Sequence, residues 1–207
     1  PTRRSSDLRA GANTLAIAIG DNLLSKPWVA DLMRLNKSFV VKRNVSGPRA
    51  LLAATKLLSQ YIRDSVSAAR DPIWIAHREG RAKDGRDLTE PAVIKMLTLS
   101  RDRGEPPEAV LSDLNIVPLV ISYEVDPCDA LKAAELAAGE GYVKAEFEDV
   151  SSIARGITGD KGCVHLHFGE PLPADLSVEE VVAALDQQMA RHYRLYQTNR
   201  WAWEWLH

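Results

Sequence analysis

Three short apolar runs, separated by stretches of helical length, set the folding problem for this chain. Thr14 to Gly20, "TLAIAIG", ends in glycine and reads as a central strand whose carboxyl end meets Asp21 and Asn22. A helix fits Lys26 to Leu35, with Pro27 in the first turn, where its missing N–H costs little. "SFVVKR", Ser38 to Arg43, is a β-branched strand closing on two cations. A long helix then fits Pro48 to Ser67, with Ser46 as its cap and Leu51, Leu52, Leu57, Leu58, Tyr61 and Ile62 as its apolar stripe. "PIWIAH" follows as the third strand. This alternation predicts an α/β fold, a mostly parallel or mixed central sheet flanked by helices.

Past the third strand, Pro91 to Arg101 and Pro107 to Leu114 read as helices. "NIVPLVISYE", Asn115 to Glu124, is another buried strand, with Pro118 near its start, where a sheet best tolerates a lost donor. Ala130 to Ala138 reads as a helix, and a second near Phe147 to Arg155 is expected to stop at Gly156. "GCVHLHFGEPL" alternates Val164, Leu166 and Phe168 with His165 and His167, so its period of two predicts an edge or half-exposed strand with one polar face. Ser177 to Glu180, "SVEE", is a capping box opening a helix to about Gln197.

With 207 residues, 45% of them hydrophobic, the chain can bury a sizeable core as one domain. Its 26 Lys plus Arg against 28 Asp plus Glu give a net charge of −2, so no bulk field favours nucleic acid as a partner. Any anion site must be a local cluster. Cys128 and Cys163 have no metal-ligand spacing, which suits a reducing compartment and argues against zinc or a disulfide framework. No apolar run approaches the roughly 18 residues that would mark a membrane span.

Pro1 to Leu8, "PTRRSSDL", has no initiator Met, no amphipathic period and no cap. The octapeptide resembles one reading frame of a sequencing-adapter oligonucleotide. Residues 1–8 are therefore expected to be foreign to the gene, and residues 9–207 to be a single partial domain whose amino-terminal part lies upstream. A flexible native tail is the alternative.

Two strands end in cations: Lys42 and Arg43 after the second, and Arg78, Arg81, Lys83 and Arg86 after the third. On one rim of a layered sheet they would supply several forks suited to phosphate, with Gly80 and Gly85 allowing close backbone approach. The competing reading is a solvated turn with weak surface ion pairs. It gives no cause for cations at two successive strand ends.

"FVVKR" (Phe39 to Arg43), "IWIAHREGRAKDGR" (Ile73 to Arg86) and "IVPLVISYE" (Ile116 to Glu124), in that order, resemble the second, third and fourth blocks of the glycerol-phosphate acyltransferase superfamily. "AIAIGDNLLSKPWVADLMRLN" resembles the segment before the second block and "VHLHFGEPL" the late strand, so the resemblance covers most of residues 14 to 173. It is to a bacterial member, shortened at its amino end. The resemblance implies an acyltransferase-like, helix-flanked sheet and transfer of an acyl chain from acyl-CoA or acyl carrier protein to a glycerol-phosphate or lysophosphatidate hydroxyl, in phospholipid biosynthesis. No cofactor is implied beyond that thioester substrate. Arg43 and the Glu79, Gly80, Arg81 region would hold the acceptor phosphate, with Lys42, Arg78 and Lys83 beside them, and Val117 and Pro118 would help shape the acyl or acceptor site. A cytoplasmic protein, in peripheral contact with the inner face of the cell membrane, is the implied setting.

Two departures bear on that reading. The family's Glu-Gly-x-Arg is here Glu79, Gly80, Arg81 without the spacer, so either Arg78 takes the Glu slot or the loop is one residue shorter. The family's His-x-x-x-x-Asp block, whose His is the general base on the acceptor hydroxyl, is missing: His77 is followed five residues on by Ala82, His192 by Gln197 and His165 by Glu170. No catalytic residue is therefore assigned, and the parent protein is expected to be an enzyme while this stretch alone is inactive. The rival reading is a non-catalytic phosphate- or phospholipid-binding α/β module, although neither G-x-G-x-x-G nor G-x-x-x-x-G-K-[ST] occurs. "NRWAWEWLH" ends the chain with Trp201, Trp203 and Trp205; a strand would put all three on one face, a helix would spread them.

Overall fold

A computed structural model describes residues 14–21, 31, 35–42, 45–67, 71–78, 83, 85–143, 145 and 147–207. The helix expected over Lys26 to Leu35 lies almost wholly outside them, as do Arg43, Glu79, Gly80 and Arg81. The content is mixed α/β, in two compact units. The first falls within Pro1–Glu79, Thr89–Ile116 and Leu172–Val182; the second within Gly80–Leu88, Val117–Pro171 and Ala183–His207.

In the first unit, β1 (Ala16–Gly20), β2 (Ser38–Val41) and β3 (Ile73–Trp74) form a parallel sheet in the order β2–β1–β3. Central β1 buries Ala16 and Ile19, whereas Val40 on outer β2 is exposed. The long helix α1 (Pro48–Ser67) has the expected bounds. It starts from Gly47, whose carbonyl accepts the Leu51 N–H at 3.0 Å, so Gly47 rather than Ser46 holds the cap position. A φ of +90° there is one that glycine adopts without strain. The predicted stripe is corrected in part: Leu51, Leu52, Leu57 and Tyr61 are exposed, Leu58 is half-buried, and the buried residues of α1 are Ser59 and Ile62. That buried line packs against α2 (Pro91–Leu97), the 3₁₀ turn Thr98–Ser100 and α3 (Pro107–Asp113). Ile94, Leu97, Val110, Leu111 and Leu114 complete this core. Phe39 of β2 meets Tyr61 of α1 with ring centroids 5.0 Å apart, which seats the helix on the sheet.

Arg63 of α1 fastens the helical layer. Its guanidinium donates to both Glu105 oxygens, at 2.8 and 2.6 Å, and to Asp113 Oδ2 at 2.7 Å. The Arg63 fork, and then the Asp102 backbone N–H, pull the Glu105 carboxyl down to about 2 from an ordinary 4.5. A carboxylate lowered in the folded state stabilises fully above its unfolded value and loses that contribution as protons bind. Stability should therefore fall between about pH 4.5 and pH 2, and Arg63→Ala should flatten that part of the profile. Urea midpoints measured across this window for both proteins check it.

In the second unit, β4 (Leu119–Tyr123) and β5 (Val164–Phe168) form an antiparallel pair, Leu119 facing Phe168 and Tyr123 facing Val164. Among the described residues the strands thus lie in two sheets, where one central sheet was expected. Pro118 precedes β4 directly, and its carbonyl accepts the Gly169 N–H at 2.9 Å. The sides of β5 are reversed from the simplest reading of its period. Val164, Leu166 and Phe168 are 51%, 48% and 60% exposed, while His165 and His167 are half-buried. A Cβ on Gly169 would come within 2.2 Å of Gln188 Oε1, so glycine permits Gln188 to clamp the Glu170 backbone, accepting its N–H and donating to its carbonyl.

The helices of this unit are α4 (Asp129–Ala138), α5 (Glu148–Thr158), most of α6 (Val178–His192) and α7 (Gln197–Leu206). Gly156 does not end α5, which runs to Thr158 with Gly159 as its cap. The capping box of α6 forms as expected, Glu180 accepting from the Ser177 N–H and Ser177 Oγ from the Glu180 N–H. That helix stops at His192 rather than near Gln197. Tyr196 and Asn199 build a second box that starts α7, so the tryptophan-rich end is helical and Trp201, Trp203 and Trp205 are spread and exposed. Among the described residues no helix is long and apolar enough to cross a membrane.

Candidate functional site

Parallel pairing decides where the cations of the first unit go. β1 pairs with β2 from Ile17 opposite Ser38 to Gly20 opposite Val41, and with β3 through Ala16 opposite Ile73 and Ile17 opposite Trp74. All three strands therefore point the same way, and their carboxyl ends share one edge of the sheet. The chain leaves β1 for β2 on one side and returns to β3 on the other. Reversal of strand order at β1/β3 is where an open α/β sheet leaves a crevice outside its carboxyl ends.

Four described residues follow the strands at this edge. Exposed Lys42 follows β2 immediately, Asp21 follows β1, and His77 and half-buried Arg78 follow β3. Arg43, next after Lys42, and Glu79, Gly80 and Arg81, next after Arg78, lie outside the described residues. The charged loop is closed at its base by two bonds that no spacing rule signals. Glu90 N–H donates to the His77 carbonyl at 2.9 Å, and His77 Nδ1 lies 3.2 Å from the hydroxyl of buried Thr89. These two bonds fasten the chain where it leaves β3 and where it enters α2.

The remaining expected site residues belong to the second unit. Lys83 is ion-paired with Glu135 of α4, so its charge is already answered locally. Val117 is exposed, and Pro118 is buried at the foot of β4. His165, His167 and His192 also lie in this unit, and the rings of His167 and His192 stack with centroids 3.7 Å apart and planes at 12°. Sequence reading treated these histidines singly and missed that pair, which joins positions 25 residues apart in a chain with no repeat to align them. Among the described residues no group of three or more His, Cys, Asp or Glu is placed to hold a metal ion. Comparisons with models of protein families, with curated proteins and with solved structures returned no match to this chain.

Proposed function

We propose that the chain carries the acceptor-binding part of an O-acyltransferase, gripping the phosphate of a glycerol-phosphate or lysophosphatidate acceptor at the carboxyl edge of the β2–β1–β3 sheet. One observation carries the reading. Parallel pairing gives two cation-bearing turns, the one entered by Lys42 and the one entered by Arg78, a common edge beside a strand-order reversal. Arg43, Glu79, Gly80 and Arg81 continue those turns in sequence and are assigned to the phosphate, whose oxygens suit guanidinium forks and glycine-exposed N–H groups. Acyl transfer from acyl-CoA or acyl carrier protein rests on the resemblance of the ordered blocks. Peripheral contact with the cytoplasmic side of a membrane rests on the same ground.

A second reading, a phosphate- or phospholipid-binding module without chemistry of its own, is favoured by one fact: no His in the sequence is followed five residues on by Asp. Without a base held beside the acceptor hydroxyl, general-base catalysis of the transfer is lost, typically a 10²- to 10⁴-fold effect. The chain is therefore expected to bind sn-glycerol 3-phosphate over glycerol and to leave labelled acyl-CoA untransferred. A gene product extended upstream to include a His-x-x-x-x-Asp block is expected to transfer. Turnover by residues 9–207 alone would overturn the assignment of the base to a missing block. Failure to distinguish glycerol phosphate from glycerol would overturn the phosphate site.

A further inference from the structure

The stacked histidines of the second unit lie away from any role assigned above, and their surroundings are unusual for two imidazoles. His167 of β5 and His192 of the last turn of α6 stack nearly parallel, with centroids 3.7 Å apart. The His165 ring lies roughly parallel to that of His167, with centroids 6.3 Å apart. The three rings share the side of the sheet that carries Val120 and Ser122, since His167 faces Val120 and His165 faces Ser122. Neither residue from β4 brings charge, and Ser122 Oγ accepts the Arg194 N–H at 3.0 Å just beyond α6. The ring stack and that hydrogen bond hold the end of α6 to the sheet.

We propose that the His167–His192 stack is a proton-operated latch that fastens the last turn of α6 to the β4–β5 sheet at neutral pH and releases it in mildly acidic solution. Neutral imidazoles stack with no charge penalty, and a single imidazolium meets no like charge from a neutral ring beside it. Two protons at this separation repel, with His165 and Arg191 adding like charge and Glu170 opposing them. The end of α6 favours a cation, so the helix dipole acts with Glu170. Burial, followed by His167, Arg191 and His165, outweighs them and lowers the His192 imidazole below its ordinary value. A histidine lowered in the folded state contributes fully above the unfolded value of about 6.5, and loses that contribution as pH falls below it. Release passes along residues 193–196 to α7, whose start is held by the Thr198 hydroxyl on the Glu124 carbonyl at 3.1 Å.

Amide exchange read at pH 7.5 and pH 5.5, with intrinsic chemical rates divided out, tests the latch. Residues 189–199 should lose several-fold more protection at pH 5.5 than the β4 amides do. His192→Phe keeps a stacking ring that cannot titrate and should abolish the difference; His167→Phe should do the same from the other side. His207→Phe, at the exposed position just after α7, should leave it intact. Equal protection at both pH values in the unaltered protein would overturn the proposal, as would a pH effect that survives both ring substitutions. If one phenylalanine variant fails to fold, the other decides.

Discussion

Replacing Ser59 by alanine is expected to lower the stability of the first unit by about 2–4 kcal/mol, as two buried hydrogen-bonding groups lose their partner together. Ser59 is 1% exposed on α1. Its hydroxyl donates to the Leu97 carbonyl at 2.8 Å and accepts the Ser100 N–H at 2.9 Å, tying the long helix to the end of α2 and the turn after it. Ser100 is itself 4% exposed, so water cannot readily replace the lost acceptor. Ser112 makes a formally similar pair of bonds, to the Glu108 carbonyl and from the Asp175 N–H, at a half-exposed position. There alanine should cost no more than about 1 kcal/mol, since solvent reaches the groups left behind. Urea titrations with unchanged slope and a displaced midpoint would report both changes. Equal losses at the two serines would show that burial does not govern these bonds.

The same helix marks how far the sequence could be read. Its bounds were legible because Pro48 and the apolar spacing act locally, over one or two turns. What covers each side of it is a long-range matter, and the leucines that draw the stripe, Leu51, Leu52 and Leu57, are those the fold leaves exposed. β5 repeats the lesson: a period of two separates Val164, Leu166 and Phe168 from the histidines, but the covered side is set by where α6 ends, through His192 and Arg194. The stop expected at Gly156 failed because a glycine inside a helix costs only about 1 kcal/mol, less than the continuing hydrogen bonds and packing return. Beyond the early end of α6, Asn199 Oδ1 accepts the Tyr196 N–H at 2.8 Å where α7 starts, and tyrosine is not a residue that capping rules place before a helix.

For the candidate site, the strand ends were legible and their grouping was not. Apolar runs closing on Lys42–Arg43 and His77–Arg78 gave the cations, and alternation with helices gave parallel strands. Strand order was hidden, since pairing is non-local: β1 stands between β2 and β3, whose carboxyl ends lie on one edge because both pair with it in parallel. The fastening of the loop base by Thr89 and Glu90 was hidden as well, for a threonine and a backbone N–H carry no signature of the carbonyl they will meet.

That edge makes the second large prediction specific. Arg43→Ala and Arg81→Ala should each weaken binding of sn-glycerol 3-phosphate about 10- to 100-fold, the loss of one charge-assisted contact of about 1.5–3 kcal/mol. Lys83→Ala should change it far less, because Glu135 already neutralises that ammonium. In a transferring, extended protein the two arginine variants should raise the apparent acceptor constant more than they lower the maximal rate, since a clamp positions the acceptor and takes no part in bond making. Calorimetric titration of the acceptor against all three variants separates the cases. Retention of full affinity by both arginine variants would remove the phosphate from this edge. A loss in Lys83→Ala equal to that in the arginine variants would mean that affinity follows total charge, because a site built from particular forks distinguishes them from a lysine already held by Glu135.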